Sequence, residues 1–435
     1  MANQRLQSDV VVVGAGPTGI AAACAVAEHG MKVAVVDNSP WLGGQIWRGA
    51  TTHPVPGRAG QWIDRLKRSG VSVLSNATAF AAPASHLLVA ETPDGVLEIT
   101  WNKLIAATGA RERFLPFPGW TLPGVVGPGG LYAMVKLGWP VAGKRVVVAG
   151  SGPLLLAAAD GLKQAGARVS LVAEQADWDH VLRFGKGLWR YPGKLLQGVG
   201  VKARLLGVPY RCGCWPVKAE GTAHVESVTL ANGSSSWSED CDYLACGFHL
   251  VPNVELPCLL GCALASGFVR VDALQLTSVP DVFCAGEPTG IGGADCALVE
   301  GQVAGLAAAG AEDQARTLFG RRATWHRFRT SLNQAFALRP ELRHLATPDT
   351  FVCRCEDVRL ADLKGCESLR AARLQTRCGM GSCQGRTCGA AVQFLFGWEP
   401  DSVRPPLFPV RLASLADESS HLDKPTLQTD NSLQA

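Results

Sequence analysis

The C-terminal part of the chain carries Cys353-Arg-Cys355-Glu-Asp and then Thr376-Arg-Cys-Gly-Met-Gly-Ser-Cys383-Gln-Gly-Arg-Thr-Cys388. Four thiolates spaced in this way can ligate an iron–sulfur cluster or zinc. The same CxC and CxxxxC spacing recurs at Cys212, Cys214, Cys241 and Cys246, so spacing does not choose between the two sets. Context does. Cys241 and Cys246 fall on what reads as one extended apolar run, where an odd separation directs their side chains to opposite faces. Cys383 and Cys388 lie in a glycine-rich loop near Arg354, Arg377 and Arg386, which offers backbone N–H groups and positive charge to an anionic cluster. The expected metal ligands are therefore Cys353, Cys355, Cys383 and Cys388, with Cys378 one thiol beyond the set. Cys24, Cys258, Cys262, Cys284, Cys296 and Cys366 read as small buried packing residues.

A second chemistry is carried by glycine. Gly14-Ala-Gly16-Pro17-Thr18-Gly19 follows an apolar run, Asp9 to Val13, and precedes a helical stretch; a further apolar run, Lys32 to Val36, ends in Asp37. Strand, GxGxxG, helix, strand and acid in that order form a dinucleotide-binding βαβ unit. The first glycine makes the turn, the second admits a pyrophosphate to the helix N-terminus, the third packs helix on strand, and Asp37 accepts from a ribose hydroxyl. A similar unit starts at Lys144, with Gly150-Ser-Gly152-Pro-Leu-Leu155 and a next strand ending at Glu174. Leu155 stands where the third glycine belongs, so this unit reads either as a nucleotide site or as a retained structural domain. No Arg or Lys closely follows Glu174, which favours NAD or an adenine nucleotide over NADP.

The elements that must position these groups are those of a large α/β protein. The chain has 435 residues, 47% of them hydrophobic and 18% charged, with 49 glycines. That composition buries large cores and excludes wholesale disorder. Length predicts two or three domains. The 41 Lys and Arg against 37 Asp and Glu leave a net charge of +4, too balanced for a nucleic-acid footprint. The first apolar run lacks the basic flank of a signal peptide and no run is long enough to span a bilayer, so a cytoplasmic protein is expected. Residues 311–345 read as a polar helical connector, with Arg321, Arg322, Arg327 and Arg329 on a solvated face or a face for an acidic partner. Beyond the two βαβ units the sequence holds no internal repeat.

The two units, with Ala107-Thr108-Gly109 between them and Thr277-Ser-Val-Pro-Asp-Val-Phe-Cys-Ala-Gly286-Glu287 after them, resemble the two-dinucleotide-domain flavoproteins of glutathione-reductase-type, Rossmann-like architecture. The resemblance implies FAD on Gly14, Gly16, Pro17, Thr18, Gly19 and Asp37. It also implies flavin contacts from Gly43, Gly44, Gln45, Thr108 and Gly109, and from the late motif Gly286, Glu287 and Gly293. The usual acid of that motif is Asp, and Glu287 is one methylene longer. No cysteine lies between Cys24 and Cys212, so the redox pair of the disulfide reductases is missing. The cysteine segment resembles the bacterioferritin-associated-ferredoxin-like [2Fe-2S] domain. The implied organisation is an FAD domain in two parts, 1–120 and 245–310, a second dinucleotide-binding-like domain at 121–244, the connector at 311–345, the [2Fe-2S] domain at 346–412 and a tail at 413–435.

With Trp41-Leu-Gly-Gly-Gln-Ile-Trp and Val251-Pro-Asn-Val-Glu-Leu added, nearly the whole chain resembles the large flavoprotein subunit of heteromeric amine and amino-acid dehydrogenases, a family that includes opine oxidases, D-hydroxyproline dehydrogenases and hydrogen cyanide synthases. The resemblance implies an electron-transfer subunit with FAD and [2Fe-2S]. It also implies a partner of the glycine-oxidase type with its own FAD, a small ferredoxin-like subunit, and contact with a membrane only through the electron acceptor. A self-contained NAD(P)H-dependent flavin oxidoreductase and a scaffold with vestigial cofactors are the alternatives. No constellation of His, Tyr or Arg marks a substrate pocket.

Overall fold

The computed structural model describes residues 4–48, 57–399 and 403–416. Residues 417–435 of the expected tail lie outside it. Its first sheet has the strand order Ser72–Leu74, Val33–Val36, Gln4–Val13, Gly95–Ala106, Leu87–Thr92, Thr78–Ala84, and Val282–Cys284 also pairs with Gly95–Ala106. Val10 to Val13 are parallel to Val33 to Val36 on one side and to Lys103 to Ala106 on the other. Both faces of this strand are covered, which is why it reads as an unbroken valine run rather than an alternation. Helices Pro17–Ala27 and Gly293–Ala308 pack against each other on one face. Gly301 and Gly305 permit this, since a Cβ on either would stand 2.3 or 2.4 Å from a carbonyl oxygen of the first helix.

The second sheet is wholly parallel, in the order Tyr210–Cys212, Arg168–Glu174, Arg145–Ser151, Tyr243–Phe248, Val125–Val126. A three-stranded antiparallel sheet, Trp215–Glu220, Ser227–Ala231 and Ser236–Asp240, packs on its core. The chain passes between the two domains along an antiparallel ladder, Ala110–Glu112 with Leu250–Pro252. This is the doubly wound, two-domain α/β architecture expected from the two βαβ units.

The connector contains helices Glu312–Thr317 and Phe319–Ala335 and a short 3-10 turn, Pro340–His344. It is not simply a solvated face. Phe328 is buried, Arg329 turns inward, and Arg322 donates to the Ala273 carbonyl. The cysteine segment has its own small core around Val352, Leu369 and Val392. After it, Arg411 and Ser414 both bond Glu91 of the first sheet, which holds the chain against that sheet as far as residue 416.

Candidate dinucleotide cradle and cysteine centre

Where strand Gln4–Val13 ends, Gly14 takes φ +110°, and a Cβ there would lie 2.3 Å from the Ala107 carbonyl oxygen. A Cβ on Gly19 would lie 1.7 Å from the Gly14 carbonyl oxygen, so helix and turn touch through bare backbone. Gly16 differs, because a Cβ on it would have only the Gly44 Cα as a neighbour, at 4.0 Å. Gly16 and Gly44 thus face each other across a gap that no side chain fills. Helix Pro17–Ala27 begins at Gly16 with no side-chain cap, so its first-turn N–H groups and the positive end of its dipole are left for an anion. Asp37 holds this turn from the next strand, accepting from Ala15 N at 2.5 Å and Ser39 N at 2.7 Å. Burial raises the Asp37 pKa and these two N–H groups oppose it. Gln45 is exposed beside Gly44.

The late motif closes the same cradle. A Cβ on Gly286 would meet the Thr18 hydroxyl of the first helix at 2.2 Å. Glu287 accepts from Gly293 N at 2.9 Å through one oxygen, while its other oxygen is buried without a partner. Burial pushes its pKa up to about 7. Thr108 and Asn253 bond each other twice, through Thr108 Oγ1 to Asn253 O at 2.6 Å and Asn253 Nδ2 to Thr108 O at 2.9 Å, and Gly109 follows at φ +72°. The uncapped helix, the bare Gly16–Gly44 gap and the orphaned buried atoms Glu287 Oε2 and Arg48 Nε fit a long, phosphate-bearing nucleotide such as FAD.

The second unit is built alike but its polar groups are already engaged. Glu174 is fully buried, accepts from Gly152 N at 2.7 Å and Ala176 N at 3.0 Å, and burial pushes its pKa up to about 7. Gly150 takes φ +130° with its Cβ position 1.8 Å from the Gly247 carbonyl oxygen. Beside it, Ser151 Oγ donates to Phe336 O, Gln175 Nε2 donates to Ala337 O, and Arg339 bonds both Gln175 and Asp177. The end of the connector therefore lies over the carboxyl ends of the strands, where an open α/β sheet takes its ligand.

In the C-terminal segment, the sulfurs of Cys353, Cys378 and Cys388 lie within 4.8 Å of one another. Gly379 N points at Cys353 Sγ at 3.5 Å. Hydrogen bonds from Cys378 and Cys388 push the Cys353 thiol down to about 2, and the same contacts raise both donors, so the three groups share one thiolate. Cys355 and Cys383 bond each other as a second pair, in which burial raises Cys355 and the Thr387 N–H with the Cys355 thiol lowers Cys383 against its own burial. Five thiols gathered on one small core, with a backbone N–H aimed at sulfur, fit an iron–sulfur centre.

The other CxC set needs a correction. Cys241 precedes strand Tyr243–Phe248, so the alternation does not run from Cys241 to Cys246, and both join Cys214 in one apolar core. The chain changes sheets at this point: Cys241 N bonds Glu226 O and Asp242 N bonds Arg145 O. Their role as packing residues stands, since burial raises both thiols, Cys241 to about 12. Among the described residues this set forms no metal-sized group.

Two connections went unread in the sequence. Glu300 accepts from Gly286 N, Thr289 Oγ1, His326 Nε2 and Arg329 Nη1, which ties the connector helix to the cradle. Its signal was a lone acid in the apolar run Cys296 to Val303. Arg111 donates to Asn253 Oδ1 at 2.7 Å, pairs with Glu255 at 2.9 Å and donates to the Arg386 carbonyl at 3.1 Å. Nothing in its sequence neighbours marks that reach.

Comparison with known proteins agrees with this geometry. Residues 8–301 match the pyridine nucleotide-disulphide oxidoreductase family. The chain is 31% identical to the large (A) component of opine oxidase of Rhizobium meliloti, over 94% of this chain and 98% of that one. It is 30% identical to hydrogen cyanide synthase subunit HcnB of Pseudomonas aeruginosa, over 87% and 90%. The fold resembles the crystal structure of L-proline dehydrogenase from P. horikoshii, with TM-score 0.67 and 22% identity over 95% of this chain and 80% of that one. The chain belongs to the pyridine nucleotide-disulphide oxidoreductase family, in the branch that holds this opine oxidase component and hydrogen cyanide synthase subunit HcnB.

Proposed function

We propose that this flavin-dependent oxidoreductase subunit is the electron relay of a heteromeric dehydrogenase acting on the C–N bond of a secondary amine or amino acid of the D-hydroxyproline, opine or glycine type. FAD would lie in the first cradle and a [2Fe-2S] cluster on Cys353, Cys355, Cys383 and Cys388; together they convert a two-electron step into single-electron steps. In this chain the uncapped helix at Gly16 binds the diphosphate, Asp37 and Glu287 orient the sugar portions, and the glycine-rich loop supplies N–H groups to the thiolates. Substrate oxidation falls to a partner of the glycine-oxidase type, and a small ferredoxin-like subunit is a further partner. The expected location is the cytoplasm, with a membrane met only at its surface, where the acceptor lies; among the described residues no helix is long and apolar enough to cross one.

The observation that carries this reading is Arg111. It joins Asn253, which is bonded to the Thr108 of the flavin cradle, to the Arg386 carbonyl within the Cys383 to Cys388 loop. A direct polar link between the two redox sites suits a relay. The engaged groups of the second unit weigh against a self-contained NAD(P)H reductase, because Gly152 N is bonded to Glu174 and the connector covers Gln175. Anaerobic titration separates the readings. Neither NADH nor D-hydroxyproline, opine, sarcosine or glycine should bleach the flavin of the lone chain, and one of these amines should do so once the partner is added. Amine turnover by the lone chain at about 1 per second or faster would overturn the proposal.

A further inference from the structure

Helix Pro192–Arg204 is apolar at both poles. Val201 and Leu205 pack into the core of the second domain. On the opposite side Leu196, Val199 and Ala203 fall at i, i+3 and i+7, and Leu206 continues the same line. This outward stripe is bare: Leu196 is 73% exposed, Val199 60% and Leu206 76%, and Trp189, just before the helix, is 67% exposed. A surface helix ordinarily turns its apolar side inward and its polar side out, so a second, outward apolar stripe needs a partner. The surrounding charge is of one sign. From Trp178 to Leu206 there are six Lys and Arg against one acid, Asp179. Lys194 and Arg204 are paired with Asp295 and Asp160, while Arg190 lies over the Trp189 ring at 5.1 Å and Lys202 over Tyr210 at 5.2 Å.

We propose that this stripe lies in the surface of an anionic lipid bilayer. Leucine, valine and tryptophan would enter the headgroup boundary while Arg190 and Lys202 meet lipid phosphates from its edges. The helix is too short to span a bilayer, and its apolar side is a convex ridge suited to lying flat. A second copy of the chain is a poor occupant, because two basic faces would repel. The inference rests on the reading that electrons leave to an acceptor at a membrane, and it names the surface that would bring the chain there.

Vesicle sedimentation of the full chain, with no electron donor present, tests it. With vesicles of mixed phosphatidylglycerol and phosphatidylcholine in about 0.1 M salt the protein should pellet, and with phosphatidylcholine alone it should bind about tenfold less. Leu196→Asp with Val199→Asp should lower binding to the anionic vesicles at least about tenfold, as should Arg190→Glu with Lys202→Glu. An unchanged melting curve and flavin spectrum confirm that each variant is folded. No binding by the parent chain, or equal binding by parent and variants, overturns the proposal. If the parent ignores vesicles and the Asp variant alone fails to assemble with its partner, the stripe is an interface between subunits instead. A failure to bind lipid leaves the relay reading untouched, since no electron transfer is measured.

Discussion

Glu300 accepts the backbone N–H of Gly286 at 2.9 Å. Through that bond a carboxylate on helix Gly293–Ala308 fixes the turn that carries Glu287, and the same carboxylate receives His326 and Arg329 from the connector helix. The cradle and the connector that leads to the cysteine segment are thereby one structural unit.

Glu300→Ala should cost about 3–5 kcal/mol of stability, because it leaves the partly buried Arg329 and the Gly286 N–H without their acceptor. Glu300→Gln should cost less, as it keeps an acceptor for one of them. Urea unfolding of the three proteins measures both, and equal stability of parent and Ala variant would show that solvent replaces the carboxylate.

Gly16→Val should give a folded chain with little FAD. The space beside Gly16 is open in the protein itself, so the branched side chain fits, yet it fills the gap toward Gly44 where the diphosphate belongs. Gly152→Val should keep its FAD and lose stability, since Gly152 has φ +99°. Flavin absorbance after gel filtration reads the outcome; the opposite pattern would mean that the two domains are assigned the wrong way round.

The purified chain should contain about two iron and two sulfide. Cys383→Ser or Cys388→Ser should remove both, and Cys241→Ser with Cys246→Ser should remove neither, because those thiols are buried in the core of the second domain. Cys378→Ser should retain the iron while altering the paramagnetic resonance spectrum of the reduced centre, as Cys378 sits beside Cys353 and Cys388. Zinc in anaerobic preparations, or iron lost from the Cys241 and Cys246 variant, would refute the assignment.

Stability should fall as pH rises from about 4.5 to about 7, through Glu174. Its folded pKa is raised, so between those values the native state holds a proton that the unfolded chain has released, and stability is full below the window and lost above it. The size is on the order of 3 kcal/mol, from the width of that window. Glu174→Gln has no proton to lose and should flatten the decline, measured as urea midpoints at about pH 5 and about pH 8, on either side of most of the titration. A variant that declines as steeply as its parent would place the titration elsewhere.

The first cradle was legible in the sequence because its chemistry is local. Gly14, Gly16, Gly19 and Asp37 lie on one strand, turn, helix and strand, and the backbone geometry of a βαβ unit admits few other residues there. The valine run from Val10 to Val13 likewise declared a strand covered on both faces. Contacts between distant segments carry no such pattern. Nothing near Arg111 announces the Arg386 carbonyl, and nothing near Gln175 announces the connector at Ala337 and Arg339. The face on which Cys241 falls depends on where the chain leaves one sheet for another, which the alternation of a single strand does not encode. Residue type and spacing determined which groups exist and which chemistry they suit; tertiary packing decided which of them meet, because a side chain's partner across the fold is set by how whole elements dock rather than by its neighbours in the chain.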